Sequence, residues 1–438
     1  MLAILLALNL DAVRALGTID VNWSGTRSML HQSYRVEGPL DAMPWRGRAY
    51  VDFRKNRFLA ETHSTYPKDE VFAYRWVVEG DKGFVFDLQR NNQGTEAVVL
   101  EGVGAEAARW QFTRTLPPLV LLYAAGKGVN LDGPTAEIEQ PDGTKAMLVF
   151  DPQTHRLDRI EQTLDDPILG EVKSVSSFSQ YREIRGVPFP IRRVDTMNGV
   201  VIRDMKLDIK VGSEADEALF KLPAGWTMPV ANAPQPEEIR KLAEGVWADT
   251  LRSNSLIVEM KDHVIAIEAP GGPQFTQQTI DHIKKLVPNK PIRYLAFTHP
   301  HSDHAGGTAA YVNEGATIIT TPANVKWVQR LAKLTRKPKI ETIAIGQTRV
   351  LKDENHSVEL FTIKTSHVEE QLFAWLPKER ILFQADLFFA ATTGPIGPQF
   401  PHTLRELRAM MAKRRIDPAY VIDPDGRIAT GAEFAAAK

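Results

Sequence analysis

From about Ile19 to Leu222 apolar and polar residues alternate in short runs. "RGRAYVDF", "WVVEGDKGFVFDL", "AEIEQPDGTKAMLVF" and "RLDRIEQTL" all keep this rhythm, as do "GEVKSVSSFSQYREIRGVPFPIRRVDTM" and "VIRDMKLDIKVG". A period of two places alternate side chains on opposite faces of a strand, and "PDG" and "GDKG" supply turns between strands. One run, "PPLVLLYAAGKG", breaks the alternation and predicts a helix. Residues 1–222 are therefore expected to form a mainly antiparallel β domain with one packed and one polar face. The segment 223–238, opening "PAGWTMPVANAPQP", is rich in proline and small residues and reads as a linker. Beyond it the rhythm changes. Short apolar runs such as "SLIVEMKDHVIAIEA", "IRYLAFT", "ATIITT", "VELFTIK", "QLFAWLP" and "RILFQAD" alternate with helical patterns, "TQQTIDHIKKLV" and "ANVKWVQRLAKL" among them. Alternating strands and helices predict an α/β domain over residues 239–438.

The first residues, "MLAILLALNLDAVRALG", admit two readings. One is a helix ending at Gly17. The other is a remnant of a secretory signal, because the apolar run Leu2–Leu8 has the length of a signal core although no basic residue precedes Arg14. No stretch reaches the roughly 18–20 apolar residues that a membrane span needs. The 438 residues carry a formal net charge of -1, which argues against nucleic acid or an anionic membrane surface as partner. There is no cysteine, so disulfides, thiolate ligands and a cysteine nucleophile are excluded. Its absence suits an oxidising compartment. Gly-x-Ser-x-Gly, the Gly-x-x-x-x-Gly-Lys-Ser/Thr phosphate loop and Gly-x-Gly-x-x-Gly are all missing, which removes the commonest signals of serine hydrolases and nucleotide binders.

The chemistry concentrates in "FTHPHSDHAGG", Phe297 to Gly307. The apolar run "IRYLAF" ends at Phe297, and His299, His301, Asp303 and His304 follow within a few positions. Residues two apart at a strand end project together, so His299 and His301 can face one ion, while Asp303 and His304 reach a neighbouring point. Ala305, Gly306 and Gly307 have almost no side chain and are read as letting the backbone approach an ion closely. Imidazole with carboxylate and no thiolate suits Zn²⁺, Fe or Mn²⁺.

This spacing resembles the signature of the metallo-β-lactamase superfamily, and the resemblance extends from roughly Ile239 to the C-terminus. The expected fold is an αββα sandwich of the α/β class. In that family a third histidine follows a later strand, and "FTIKTSHVEEQLFAWL" offers His367; a metal-bridging aspartate ends the next strand, and "RILFQADLFF" offers Asp386. The family's last ligand is usually a histidine before glycine, where this chain has "AYVIDPDGRIATG" with Asp425 before Gly426. Either Asp425 replaces the imidazole on a second ion, lowering the charge of a two-ion site by one, or it belongs only to a Pro-Asp-Gly turn. Among the other histidines, His282 reads as surface, His356 as a turn, His263 as a hairpin tip and His402 as a solvent-facing loop residue.

The resemblance implies a metallo-hydrolase with two Zn²⁺ ions, Fe or Mn being alternatives. His299, His301 and His367 would hold one ion, and Asp303, His304 and Asp386 the other. A metal-bound hydroxide, oriented by Asp303, would attack a small ester, lactone or amide-type substrate. An iron-loaded redox enzyme on the same ligands, or a non-catalytic binding protein with a degraded second site, are the alternatives. The loop "FFAATTGPIGPQFPHT" is expected to wall the site, and its Phe400 and prolines suggest an apolar small-molecule substrate. In the first half, "FDPQTHRLDRIEQTL", "YREIRGVPFPIRR" and "ALFKLPAG" resemble periplasmic lipoprotein-carrier sheets, which implies a periplasmic or secreted location. The oligomeric state stays open.

Overall fold

The computed structural model describes residues 10–66, 70–89, 95–229, 238–251, 253–392 and 394–438. The alternating half forms one sheet of twelve strands. Its centre is the pairing of Thr18–Ser28 with Val200–Val211, both long and both antiparallel to their neighbours. From the first strand the sheet runs outward through Ala42–Asp52, Arg57–Tyr66, Glu70–Glu79, Lys82–Asp87 and Val98–Glu101. On the other side it runs through Arg192–Met197, Gly170–Ser179, Leu157–Asp166, Lys145–Phe150 and Thr135–Glu139. Two helices carry the chain from one edge to the other. Pro117–Gly126 is the expected one; Val103–Thr113 was not expected.

Both helices lie against one face of the sheet. Their Trp110, Phe112, Leu119 and Val120 join Ile19, Trp23, Phe58, Leu148 and Phe178 in a single core. The helices cover only part of that face. Toward its remaining end the same face presents Trp23, Trp45 and Trp76, whose registers with Gly47, Ser64 and Ala60 confirm a common side. Gly47 shows how closely this face is packed. A β-carbon there would sit 2.1 Å from Cζ2 of Trp23 and 2.5 Å from the Glu61 carbonyl oxygen. Glycine lets the indole lie flat across the neighbouring strand.

Residues 1–9 lie outside the described residues, so neither reading of the N-terminal stretch is addressed there. Its described part, Leu10–Ala15, is a helix whose Val13 joins the core with Leu16. Of the segment read as a linker, residues 230–237 are likewise outside. Within the described part, Trp226 packs on Phe86 with ring centroids 5.0 Å apart.

The second half has the expected α/β character in four layers. A seven-stranded sheet runs from Ile239–Ala243 through Val246–Asp249, Ser255–Glu259, Val264–Ile267, Ile292–Ala296 and Thr317–Thr320 to Lys339–Thr342. A six-stranded sheet runs from Thr348–Lys352 through Ser357–Ile363, Gln371–Leu376, Ile381–Phe383 and Tyr420–Ile422 to Ala429–Thr430. Alternation sorts the side chains. Leu256, Val258, Ile265 and Ile267 face Leu360, Leu372, Ala374 and Phe383 between the sheets. Ile257, Val264 and Ala266 point the other way, under Ile280 and Ile283 of the helix Pro273–Leu286. The helix Pro401–Arg414 covers the second sheet through Leu404, Leu407 and Met410. Strands this fully buried on both faces read as continuous apolar runs, as these do.

Because Gly47 carries Trp23 on its α-carbon, Gly47→Val is expected to overpack the concave face and destabilise the protein by about 1–3 kcal/mol. Urea denaturation followed by tryptophan fluorescence measures the loss.

Candidate metal centre

Strand direction brings the sequence-predicted residues together. Val264–Ile267 and Ile292–Ala296 are parallel. Ser357–Ile363 and Ile381–Phe383 run the same way across Gln371–Leu376, and Tyr420–Ile422 is parallel to Ile381–Phe383. His299, His301, His367, Asp386 and Asp425 all follow the carboxyl ends of such strands, so they meet at one rim of the sandwich. Ligand-type atoms of His299, His301, His367 and Asp386 lie within 4.8 Å of one another, and those of Asp303, His304 and Asp425 form a second group of the same tightness. Asp425 therefore sits in the cluster, in addition to standing in its turn. Asp386 joins the groups: its Oδ2 is 3.2 Å from His299 Nε2, 3.0 Å from His367 Nε2 and 3.0 Å from His304 Nε2.

The outer nitrogens of His299, His301 and His304 are engaged, which sets the orientation of each ring. Thr298 donates its hydroxyl to Glu268 (2.7 Å) and accepts from His299 Nδ1 at 3.0 Å. His304 Nδ1 donates to Glu268 Oε1 at 2.9 Å. His301 Nε2 donates to the Ser33 carbonyl at 3.2 Å, leaving Nδ1 to face His367 Nε2. The inward Nε2 atoms of His299 and His304 are buried without a hydrogen-bond partner. Imidazole nitrogens aimed at a shared carboxylate are a donor set that suits a divalent cation, so the residues fit one.

The electrostatics divide the histidines, and His367 is raised by Asp386 against the effect of burial. Burial, with His304 beside it, holds His299 at about 3, and burial keeps His301 well below the usual histidine range. Burial would also lower His304, yet Asp386 and Asp303 offset it and raise that group well above normal. Asp386 is held well below its usual range, burial being outweighed by His304 and His367. Asp425 is pushed up to about 7, chiefly by burial and by the neighbouring aspartates. Carboxylates this crowded are stable as anions only beside positive charge.

Three residues outside the expected set shape the site. Glu268 is fully buried, has φ 79°, and holds both Thr298 and His304. Asp423, one per cent exposed, accepts from the Asp386 amide at 2.9 Å and the Asp425 amide at 2.9 Å. It steadies Asp386 in a left-handed conformation, φ 63°, that a non-glycine residue adopts only when its surroundings impose it. Gln32 comes from the first half of the chain and donates to Asp303 Oδ1 at 2.7 Å.

The structure corrects three readings. Gly306 and Gly307 serve close approach of chain to chain. A β-carbon on Gly306 would lie 2.0 Å from the Gly271 carbonyl oxygen, and one on Gly307 1.6 Å from Thr276 Oγ1. His402 is in a helix, its Nε2 2.7 Å from Glu70 Oε1 at the wall of the site, rather than facing solvent. His282 is paired with the buried Asp249 at 3.1 Å instead of lying free on the surface. His263 and His356 sit in turns as expected, paired with Asp262 and Glu379. Phe389, from the loop expected to wall the site, does line it, and Phe400 packs against Phe389 and Phe72.

Glu268→Ala removes the carboxylate that orients His304 and, through Thr298, His299. A 10- to 100-fold loss of metal affinity is expected, measured by competition with a chelating dye.

The family model described as "ODP family beta lactamase" matches residues 251–413. The chain is 23% identical over 175 residues to 2,4-dinitroanisole O-demethylase subunit alpha of Nocardioides sp. (strain JS1661), covering 40% of this chain and 51% of that protein. It is 26% identical over 168 residues to Metallo-beta-lactamase IND-1 of Chryseobacterium indologenes, covering 37% of this chain and 68% of that one. The chain thus spans about half the length of the O-demethylase subunit. Among solved structures, a metallo-beta-lactamase from Pontibacter korlensis shares 18% identity over 45% of this chain and 95% of its own, with a TM-score of 0.37. The family match falls on the strands and loops that carry His299, His301, His304, His367 and Asp386, and together with the relatives it supports the metallo-β-lactamase superfamily for the C-terminal half of this chain.

Proposed function

We propose that the chain is a metal-dependent hydrolase of small ester, lactone or amide-type substrates. The observation that carries this reading is the single carboxylate oxygen, Oδ2 of Asp386, shared by His299, His304 and His367. It implies two adjacent ion positions. His299, His301 and His367 would hold one ion and Asp303, His304 and Asp425 the other, with Asp386 between them. Zinc suits such imidazole–carboxylate sets, and when bound it supplies Lewis acidity and a water acidified toward neutrality.

The chain's own residues do the rest. Asp303 is the most open member of the cluster, and Gln32 holds one of its oxygens. Its other oxygen is free to orient the attacking water and take its proton. Thr298 and Glu268 hold the outer nitrogens of His299 and His304 and so aim their inward nitrogens at the ion positions. Buried surroundings exclude competing solvent.

One observation favours a second reading. The cluster contains three carboxylates, and hard oxygen donors shift preference toward iron or manganese, hence toward redox chemistry on the same ligands.

Metal analysis of the purified protein is expected to give more than one equivalent, with turnover of p-nitrophenyl acetate, a lactone or a β-lactam that His301→Ala abolishes. One equivalent, rising to two in Asp425→His, would overturn the ligand role of Asp425. Iron with oxygen uptake and no hydrolysis would replace this reading by the redox one.

A further inference from the structure

The cluster opens into a cavity of about 440 Å³. One end of it is the metal centre, represented by Asp303, His367, Asp386 and Asp425. The opposite wall is the concave face of the twelve-stranded sheet. Side chains two apart on each strand share that face: Trp23 and Arg27 on one, Arg203 on the next, Trp76 further out.

That wall carries more guanidinium than carboxylate. Arg27 and Arg203 stand directly opposite each other across the central strand pair. Like charges in this position repel, and a protein that keeps them has a use for the field. Arg193 is already committed to Asp195, Nε to Oδ1 at 2.8 Å. Asp195 reaches Arg203 at only 3.5 Å, and Arg203 Nε is buried with no hydrogen-bond partner. No carboxylate among the described residues pairs with Arg27, and Arg114 lies behind the group, held at about 10 by burial and by Arg193. One aspartate thus serves several guanidinium groups. Arg27 and Arg203 are half-buried, Arg203 shares Asp195 with Arg193, and their remaining N–H groups are available to an anion.

The aromatic residues say what the anion is attached to. Trp23 and Trp45 have centroids 5.6 Å apart, Trp76 and Phe112 4.9 Å apart, and Arg203 lies over Trp45 at 5.0 Å. Stacking on Trp45 holds the Arg203 guanidinium plane in place. Along the strands the arginines lie toward the metal end, in the row of Tyr66 and Glu70, and the indoles lie one or two rows further from it. The cavity is therefore graded: imidazole and carboxylate at the metal end, guanidinium next to it, and aromatic surface beyond.

We propose that the N-terminal sheet is the specificity half of the active site. It takes a ring-bearing organic anion whose carboxylate or equivalent acidic group pairs with Arg27 and Arg203, whose apolar body lies on Trp23 and Trp45, and whose scissile bond lies on the side of the acidic group, toward the metal centre. Only the last clause rests on the hydrolase reading, and the first two are tested by binding alone.

The experiment measures binding of 2-naphthoate and of its neutral isostere 2-naphthamide to the metal-loaded full chain, by calorimetry and tryptophan quenching. Wild type is expected to prefer the anion by about tenfold or more, the scale of a charge-assisted hydrogen bond. Arg27→Gln is expected to remove that preference while leaving 2-naphthamide binding unchanged. Trp45→Ala should weaken both probes. Equal binding of the two by wild type overturns the proposal. So does an anion preference that survives Arg27→Gln but disappears in His301→Ala, since the metal centre would then be recognising the carboxylate. Failure of hydrolysis with the binding pattern intact would count against the hydrolase reading and not against this one.

Discussion

An imidazole addresses a shared point in a fixed orientation when its other nitrogen is committed elsewhere, as in His299, His301 and His304. That constraint governs this structure. Glu268 sits with no exposure beneath the His299–His304 turn because both inward nitrogens depend on it, one directly and one through Thr298. The left-handed backbone at Glu268 and at Asp386 is tolerated for the same reason. Around these points the sandwich is made rigid by apolar strands buried on both faces, so a displacement of a few tenths of an ångström has nowhere to dissipate.

Much of the cluster was legible in the sequence. His299, His301, Asp303 and His304 follow a strand in a spacing that chemistry rarely needs otherwise, and His367 and Asp386 each end an apolar run. Asp425 was legible only as an alternative, because Pro-Asp-Gly is also ordinary turn chemistry. Glu268 was not, although a lone acid closing "VIAIEAP" was a signal: nothing on a strand that apolar keeps a carboxylate without a purpose. Ser33 and Gln32 were beyond reach, since their contacts with His301 and Asp303 span 268 and 271 positions.

The first half of the chain was legible as a sheet but not as a participant. Period-two alternation says which residues share a face and is silent on what that face meets. Here the same face is core at one end, where Trp110 and Phe112 pack on it, and cavity wall at the other. The unexpected helix Val103–Thr113 draws that line, filling the concavity only partway. His402 was misread because its partner, Glu70, lies on that sheet, far away in sequence.

The segment between the first two strands of the sheet ties the halves together. It is closed on itself by Met29 and Asp41 (2.7 Å) and by Ser33 with Met29 (2.9 Å), and it presents the Ser33 carbonyl to His301 and the Tyr34 carbonyl to the Glu369 amide. The proton on His301 Nε2 is therefore a joint between two sheets as well as a choice of tautomer. Whatever stabilises that tautomer from the metal side also seats the segment, and by reciprocity a seated segment sharpens the metal side by the same factor. That N–H stands with the Gln32–Asp303 and Tyr34–Glu369 hydrogen bonds as a point where the two halves of the chain meet.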